Sequence, residues 1–264
     1  MVDLKQQPGF KAIAFLCLGL LYGPILILVL FSFNAGSLVM SWEGFSFKWF
    51  GIALANAQFH SAAKNTLMIS SVATIVATGF ATLAAIGMTR VKPWRGLSAG
   101  LMLINLPLMV PEIITAVATL SFFALVGKHL NLNFGIGNIM LAHIVFCIPF
   151  AFMPIRARLE DMDLTLENAA ADLYASNWQA FKRITLPLLM PGVASGAALA
   201  FIVSFDDFTI TQLVAGPGQT TLPLYIWNQI RRPITPEINA ISTILLLVSI
   251  IFVSISFIIA RQRK

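Results

Sequence analysis

An all-α membrane protein is predicted from three observations. The chain of 264 residues is 58% hydrophobic and only 11% charged, whereas soluble domains run nearer ~45–50% apolar and ~25% charged. Long apolar runs occur at about 11–32, 62–89, 98–127, 137–157, 189–214 and 238–260, each near or above the ~20 residues a helix needs to cross hydrocarbon. Between the fourth and fifth runs lies the longest polar passage, from Arg156 to Pro191. Six transmembrane helices with a two-helix loop, in a single domain over residues 1–264, are therefore the expected architecture.

Taken in order, the first run follows Lys5 and Lys11. Its apolar core is too long for a signal peptide and no small-residue cleavage site follows, so it reads as a retained helix. The segment from Asn34 to Gln58, with Trp42, Phe45, Phe47, Trp49 and Phe50, has the composition of an interfacial aromatic belt. From Asn65 to Thr89 the chain is rich in Ser, Thr, Ala and Gly, the residues that let membrane helices approach closely. Pro107 and Pro111 interrupt the third run, and Glu112 follows at once. Such breaks are tolerated where freed backbone groups line a cavity or meet neighbouring helices. A further segment, Gly216 to Arg232, places Leu224, Trp227 and Ile230 on one face of a short re-entrant or interfacial helix.

Six spans put both termini on one side, and the basic residues choose that side. Lys5, Lys11, Arg90, Lys92, Arg95, Arg156, Arg158, Lys182, Arg183, Arg261, Arg263 and Lys264 fall together, against Lys48, Lys64, Lys128, Arg231 and Arg232, a split of 12 to 5 that accounts for all 17. The positive-inside rule places the termini and the Arg156-to-Pro191 loop in the cytoplasm. The net charge of +6 is thus topology and not a nucleic-acid footprint.

Within the loop, Leu166, Ala169, Ala170 and Leu173 recur at helical spacing, as do Trp178, Phe181, Ile184 and Leu188. Thr165 is the expected cap of the first helix, with Glu167 near its positive end, and Ser176-Asn177-Trp178-Gln179 has capping-box form. Pro187 and Pro191 are expected to end the passage. Either lipid headgroups or a soluble partner would have to cover its apolar stripe.

Enzyme signatures are missing: there is no phosphate-binding G-x-x-x-x-G-K-S/T, no H-E-x-x-H and no C-x-x-C. No cofactor or metal is expected, and any ATP must be held by another chain. Cys17 and Cys147 sit in apolar runs without metal-ligand spacing. His143, in the fourth run, reads as an interhelical hydrogen-bonding residue rather than a proton relay or ligand. The informative charges are acids in or at the spans: Glu112, Asp206, Asp207 and Glu237. A carboxylate near mid-bilayer costs ~2.5–3.5 kcal/mol on insertion scales and normally faces a cavity, a pathway or a partner. Four of them without a basic residue in the same spans point to a shared cation, with Asp206-Asp207 the strongest pair.

Two resemblances add to this reading. Asn168-Ala169-Ala170, Asp172-Leu173-Tyr174-Ala175 and Ile184-Thr185-Leu186-Pro187 resemble the EAA loop of bacterial ABC-importer permeases, with Asn168 at the motif glutamate, Glu167 one residue earlier, and Tyr174 at the turn glycine. Ser32-Phe33-Asn34, Trp42-x-Gly44-Phe45-Ser46-x-Lys48-Trp49, Leu106-Pro107-Leu108-x-x-Pro111-Glu112, Leu141-Ala142-His143, Ser204-Phe205-Asp206-Asp207, Gly216-Pro217-Gly218-x-Thr220-Thr221-Leu222-Pro223 and Pro236-Glu237-Ile238-Asn239-Ala240 resemble the spermidine/putrescine ABC-importer permeases over nearly the whole chain. Glu112 stands where that family usually has aspartate.

The resemblance implies the type I importer permease fold with a coupling loop at about 158–187, contacted through Glu167, Asn168, Ala169, Ala170, Asp172, Leu173, Tyr174, Phe181 and Pro187. It also implies a homologous second permease, two cytoplasmic ATP-binding subunits, an extracytoplasmic polyamine-binding protein and a place in the bacterial inner membrane. Glu112, Asp206, Asp207, Glu237 and Trp227 are the expected pathway residues. The rivals are an ABC permease for another solute, whose anionic cargo would want basic residues in the spans, and an ion-coupled secondary transporter, which leaves the two-helix loop without a purpose.

Overall fold

The computed structural model describes residues 8–39, 41–91, 94–130, 135–231 and 235–261. Of the basic residues that set the expected topology, Lys5, Lys92, Arg232, Arg263 and Lys264 lie outside the described residues. In chain order the helices are α1 (Pro8–Phe31), α2 (Lys48–Ala55), α3 (Ala57–Thr89), α4 (Leu97–Met109), α5 (Glu112–Leu130), α6 (Ile136–Glu160), α7 (Thr165–Asp172), α8 (Asn177–Ala180), α9 (Leu186–Phe205), α10 (Thr209–Val214), α11 (Leu222–Ile230) and α12 (Pro236–Arg261). A π-helical turn, Phe181–Thr185, joins α8 to α9. Among the described residues the only β pairing is an isolated bridge between Asn34 and Phe45.

Five stretches are long and apolar enough to cross a membrane: Lys11–Phe31, Ala57–Thr89, Glu112–His129, Ile136–Glu160 and Asn177–Phe205. Leu97–Met109 and Pro236–Ile251 are shorter apolar helices. Two of the predicted runs are broken, the third as expected at its prolines and the fifth unexpectedly. The third predicted run is two helices, because Val110 is extended (φ −86°, ψ 133°), as the residue before a proline is driven to be. Pro107, by contrast, is accommodated inside α4. The fifth run stops at Phe205, and Asp206 (φ −94°, ψ 0°) leads to a separate α10.

The prolines expected to close the polar passage do not. Helical backbone continues from Asn177 to Phe205, with Pro187 in the first turn of α9 and Pro191 inside it. A proline near a helix start removes an amide with no partner in a free-standing helix, and the π turn before it absorbs the altered register.

The chain groups into two compact units, Met1–His60 with Ile226–Phe252 and Ser61–Tyr225 with Val253–Lys264. In the first unit, the large side chains of α1 are mostly exposed within this chain, and its end is pinned by Asn34. The buried Asn34 carboxamide donates to the Leu38 and Ser41 carbonyls (3.2 and 2.6 Å) and accepts from the Gly36 and Glu43 amides (3.2 and 2.9 Å). Trp49 Nε1 donates to the Gly36 carbonyl at 3.0 Å, while Phe33 stacks on Phe45 at 5.2 Å. The aromatic segment is therefore an ordered turn with Phe45 and Phe47 outermost.

The second unit is built on α6 against α9. Gly192, Gly196, Ala200 and Ser204 recur every fourth residue along α9 and are turned inward, so the two backbones approach closely. A Cβ on Gly196 would stand 2.6 Å from the Ala151 carbonyl oxygen. Along the same seam Cys147 Sγ donates to the Ala200 carbonyl at 3.4 Å. On α3 the expected packing face is present as Ala73, Ala77, Ala81 and Ala85, all fully buried.

Candidate functional site

At the end of the α6–α9 seam the chain leaves α9, and polar side chains gather there. Asp207 is 5% exposed. Its Oδ2 accepts from the Thr211 amide (2.9 Å) and hydroxyl (2.8 Å), and its Oδ1 from the Ile210 amide (3.3 Å). The carboxylate thus caps the first turn of α10 and meets donors that would otherwise be orphaned. His143, on α6 and 1% exposed, places Nε2 3.2 Å from Asp207 Oδ2 and 3.1 Å from Thr211 Oγ1, and Nδ1 2.8 Å from Ser204 Oγ. An Nε2–H tautomer satisfies this set without a net positive charge: it donates to Asp207, while the Ser204 hydroxyl donates to Nδ1.

Glu112, the first residue of α5 and exposed, comes beside Asp207 and Thr209. Asp206 is also exposed. The two aspartates are therefore divided by the break itself: Asp207 turns into the protein and Asp206 out of it. Among the described residues no lysine or arginine lies within ion-pair distance of Glu112, Asp206 or Asp207. The arrangement offers two outward carboxylates backed by a saturated buried one.

Glu237 and Trp227 belong to the first unit and have partners there. Glu237 Oε1 accepts from Asn56 Nδ2 at 2.9 Å, and the Arg231 guanidinium lies 5.3 Å from the centre of the Trp227 ring. Ser204 and Thr211 were not singled out from sequence. Helical periodicity could not group them with Asp207, because the chain leaves the helix at Asp206 between Ser204 and Thr211.

In the loop, α7 is capped differently from expectation. Thr165 does not cap it; the Thr165 amide donates to Asp163 Oδ1 at 2.9 Å, because aspartate reaches the free amides of a first turn from two residues before. The amide and hydroxyl of Thr165 hold the exposed Asp163 carboxyl below the usual carboxylate range. The capping box at Ser176 and Gln179 is formed in both directions. The C-terminus of α7 has Schellman geometry: the Tyr174 amide donates to the Ala171 carbonyl and the Ala175 amide to the Ala170 carbonyl, both at 3.0 Å. Tyr174 is accordingly left-handed at φ 58°, the only non-glycine described residue with positive φ.

Of the other loop residues, Glu167 Oε1 accepts from the Thr185 hydroxyl at 2.9 Å and lies 3.6 Å from Arg90 Nη2, and Ala170 is buried. Asn168, Ala169, Asp172, Leu173, Tyr174 and Pro187 are exposed. Half-buried Phe181 stacks on Trp178 at 5.7 Å. Leu173 (81%), Tyr174 (98%) and Trp178 (68%) are large apolar side chains left uncovered within this chain.

Helices of membrane-spanning length, broken next to carboxylates, define the class as a multi-span membrane protein with a polar site among its helices. Residues 77–262 match the family described as binding-protein-dependent transport system inner membrane component. The chain belongs to that family. It is 37% identical, over 100% of its length and 95% of the relative's, to the putrescine transport system permease protein PotI of Escherichia coli strain K12. Identity to the spermidine/putrescine transport system permease protein PotC is 35% in E. coli K12 (92% of this chain, 90% of the relative) and 36% in Haemophilus influenzae (96% and 97%). Among solved structures, the fold is similar to a chain of a bacterial ABC transporter that imports the polysaccharide alginate, with TM-score 0.79, 19% identity and coverage of 98% and 97%. It is also similar to a chain of the MetNI methionine ABC transporter, with TM-score 0.65, 15% identity and coverage of 77% and 94%.

Proposed function

We propose that this chain is one of two permease subunits of an ATP-driven polyamine importer of the bacterial inner membrane, and that it carries putrescine or spermidine past Glu112 and Asp206. The observation that carries the reading is an exposed carboxylate at each of two helix breaks, Glu112 and Asp206, with no lysine or arginine among the described residues within ion-pair distance. A dication leaving water needs compensating negative charge, and exposed carboxylates supply it without a closed cage that would prevent release. Relatives matched over 95% and 90% of their own length are named for putrescine and spermidine/putrescine transport.

The chain itself is not an enzyme in this reading. Of two cytoplasmic ATPase subunits, one docks on the exposed loop residues Leu173, Tyr174 and Trp178, with Asn168, Ala169, Asp172 and Pro187 around them, and an extracytoplasmic binding protein delivers the polyamine. The basic-residue split supports cytoplasmic termini and a cytoplasmic loop. Glu237 and Trp227 are further pathway residues in the first unit. Because α8, the π turn and α9 are one continuous helical stretch, movement of the loop is transmitted toward Asp206 as displacement of a rod. The test is uptake of labelled putrescine and spermidine by vesicles holding the complete importer. Polyamine uptake that requires this chain supports the reading, and uptake of an anionic solute in its place would overturn it.

A further inference from the structure

The α6–α9 seam is continuous from the loop to the acids. Arg158 sits over Gly192, Ala151 over Gly196, Cys147 reaches Ala200, and His143 reaches Ser204 at 2.8 Å. His143 also extends past the end of α9, with Nε2 3.2 Å from Asp207 and 3.1 Å from Thr211 of α10. One imidazole on α6 therefore bridges the last turn of one helix and the first turn of the next, on both sides of exposed Asp206. Its burial, at 1% exposed, leaves water no access to replace those bonds.

We propose that His143 is a positioning residue for transport: acting through Asp207 and Ser204, it holds the α9–α10 break in the geometry that turns Asp206 outward. The inference rests on the proposed role of Asp206 at the pathway. Without the imidazole, Asp207 keeps its backbone donors but loses its tie to α6, and the break can rotate about Asp206 when α9 moves. A ring that bonds on both sides makes α6, α9 and α10 move together, so motion arriving along α9 reaches Asp206 in place of being dissipated at the break. His143 touches neither cation nor nucleotide in this scheme. Its effect falls on the turnover of the assembled importer, with delivery by the binding protein untouched.

The experiment measures initial rates of labelled putrescine uptake in vesicles with the complete importer, normalised to co-purified complex, across substrate concentration. His143→Leu is expected to lower the maximal rate about tenfold, the scale of a hydrogen bond to a charged group, with KM unchanged. His143→Gln, whose amide can donate to Asp207 from the Nε2 position, is expected to recover to within about threefold of wild type. In an Asp207→Asn background, adding His143→Leu should cost clearly less than it does in wild type, because the two residues share one contact and only the tie to Ser204 remains to be lost. Ser204→Ala removes only the Nδ1 partner and should give an intermediate rate. A normal maximal rate in His143→Leu overturns the proposal, as does multiplication of the two losses in the double variant. Loss of assembly in both His143 variants together with normal uptake by Ser204→Ala would also overturn it and leave His143 a purely structural residue. Asp206→Asn separates the premises: normal uptake there defeats the pathway role of Asp206, whereas impaired uptake there beside normal His143→Leu defeats only this inference.

Discussion

Glu167 and Thr185 stand 18 residues apart, and the Thr185 hydroxyl donates to Glu167 Oε1 at 2.9 Å. That bond closes the loop on itself, since Glu167 lies on α7 and Thr185 ends the π turn that runs into α9. Arg90, at 3.6 Å from the same oxygen, adds the end of α3.

Glu167→Ala leaves the buried Thr185 hydroxyl and the Arg90 guanidinium without this acceptor. The expected cost is about 1–3 kcal/mol in the stability of the loop, read as faster proteolysis between α7 and α8 and as weaker retention of the ATPase. Glu167→Gln, which can still accept from Thr185, should lose less. Equal protease resistance in Glu167→Ala and wild type would rule the closure out.

Tyr174 holds a left-handed conformation that costs an L-residue roughly 1–2 kcal/mol, and at 98% exposure it recovers none of this by packing within the chain. Tyr174→Gly should stabilise the purified protein by about 0.5–1 kcal/mol, after the extra chain entropy of glycine is subtracted. Tyr174→Val should destabilise it. Thermal unfolding in detergent checks both, and uptake should survive the glycine substitution.

The exposed loop surface is expected to be where the ATPase docks. Leu173→Asp and Phe181→Asp should abolish ATPase co-purification and uptake while membrane insertion persists, because an unpaired charge in a closed interface costs several kcal/mol, about 2–4 at a hot spot. Normal uptake in both variants would leave the surface to lipid headgroups. Leu173→Asp is the cleaner of the two, as Phe181 also loses its stacking on Trp178.

Asp206→Asn is expected to lower polyamine uptake by about tenfold or more, with subunit co-purification preserved, and Glu112→Gln to give a smaller loss. Asp207→Asn should differ in kind. By weakening the α10 cap and the contact with His143 it should reduce both uptake and thermal stability. Unchanged stability in Asp207→Asn would contradict the structural role of that carboxylate.

Gly196→Val tests the seam. Its Cβ would meet the Ala151 carbonyl oxygen at 2.6 Å, a backbone atom that cannot turn aside, so α6 and α9 must separate. The expected loss is about 1–3 kcal/mol, seen as a lower unfolding temperature and reduced assembly. Gly79→Ala, with nothing within 4 Å of the added Cβ, serves as the control.

The sequence by itself determined the helical membrane class, because apolar runs of spanning length admit no other backbone in hydrocarbon. It also determined the packing face of α3, the capping box at Ser176, the break near Pro111 and the interhelical role of His143, since each follows from spacing or from a local rule. Periodicity could not say that Pro187 and Pro191 lie within a continuing helix, because a proline is a breaker or a first-turn residue according to the backbone before it. Nor could it say which of two adjacent aspartates turns inward. That choice was made by local amides of Ile210 and Thr211 together with His143 on α6, far away in the chain, and only the approach of α6 in three dimensions separates buried, saturated Asp207 from exposed Asp206.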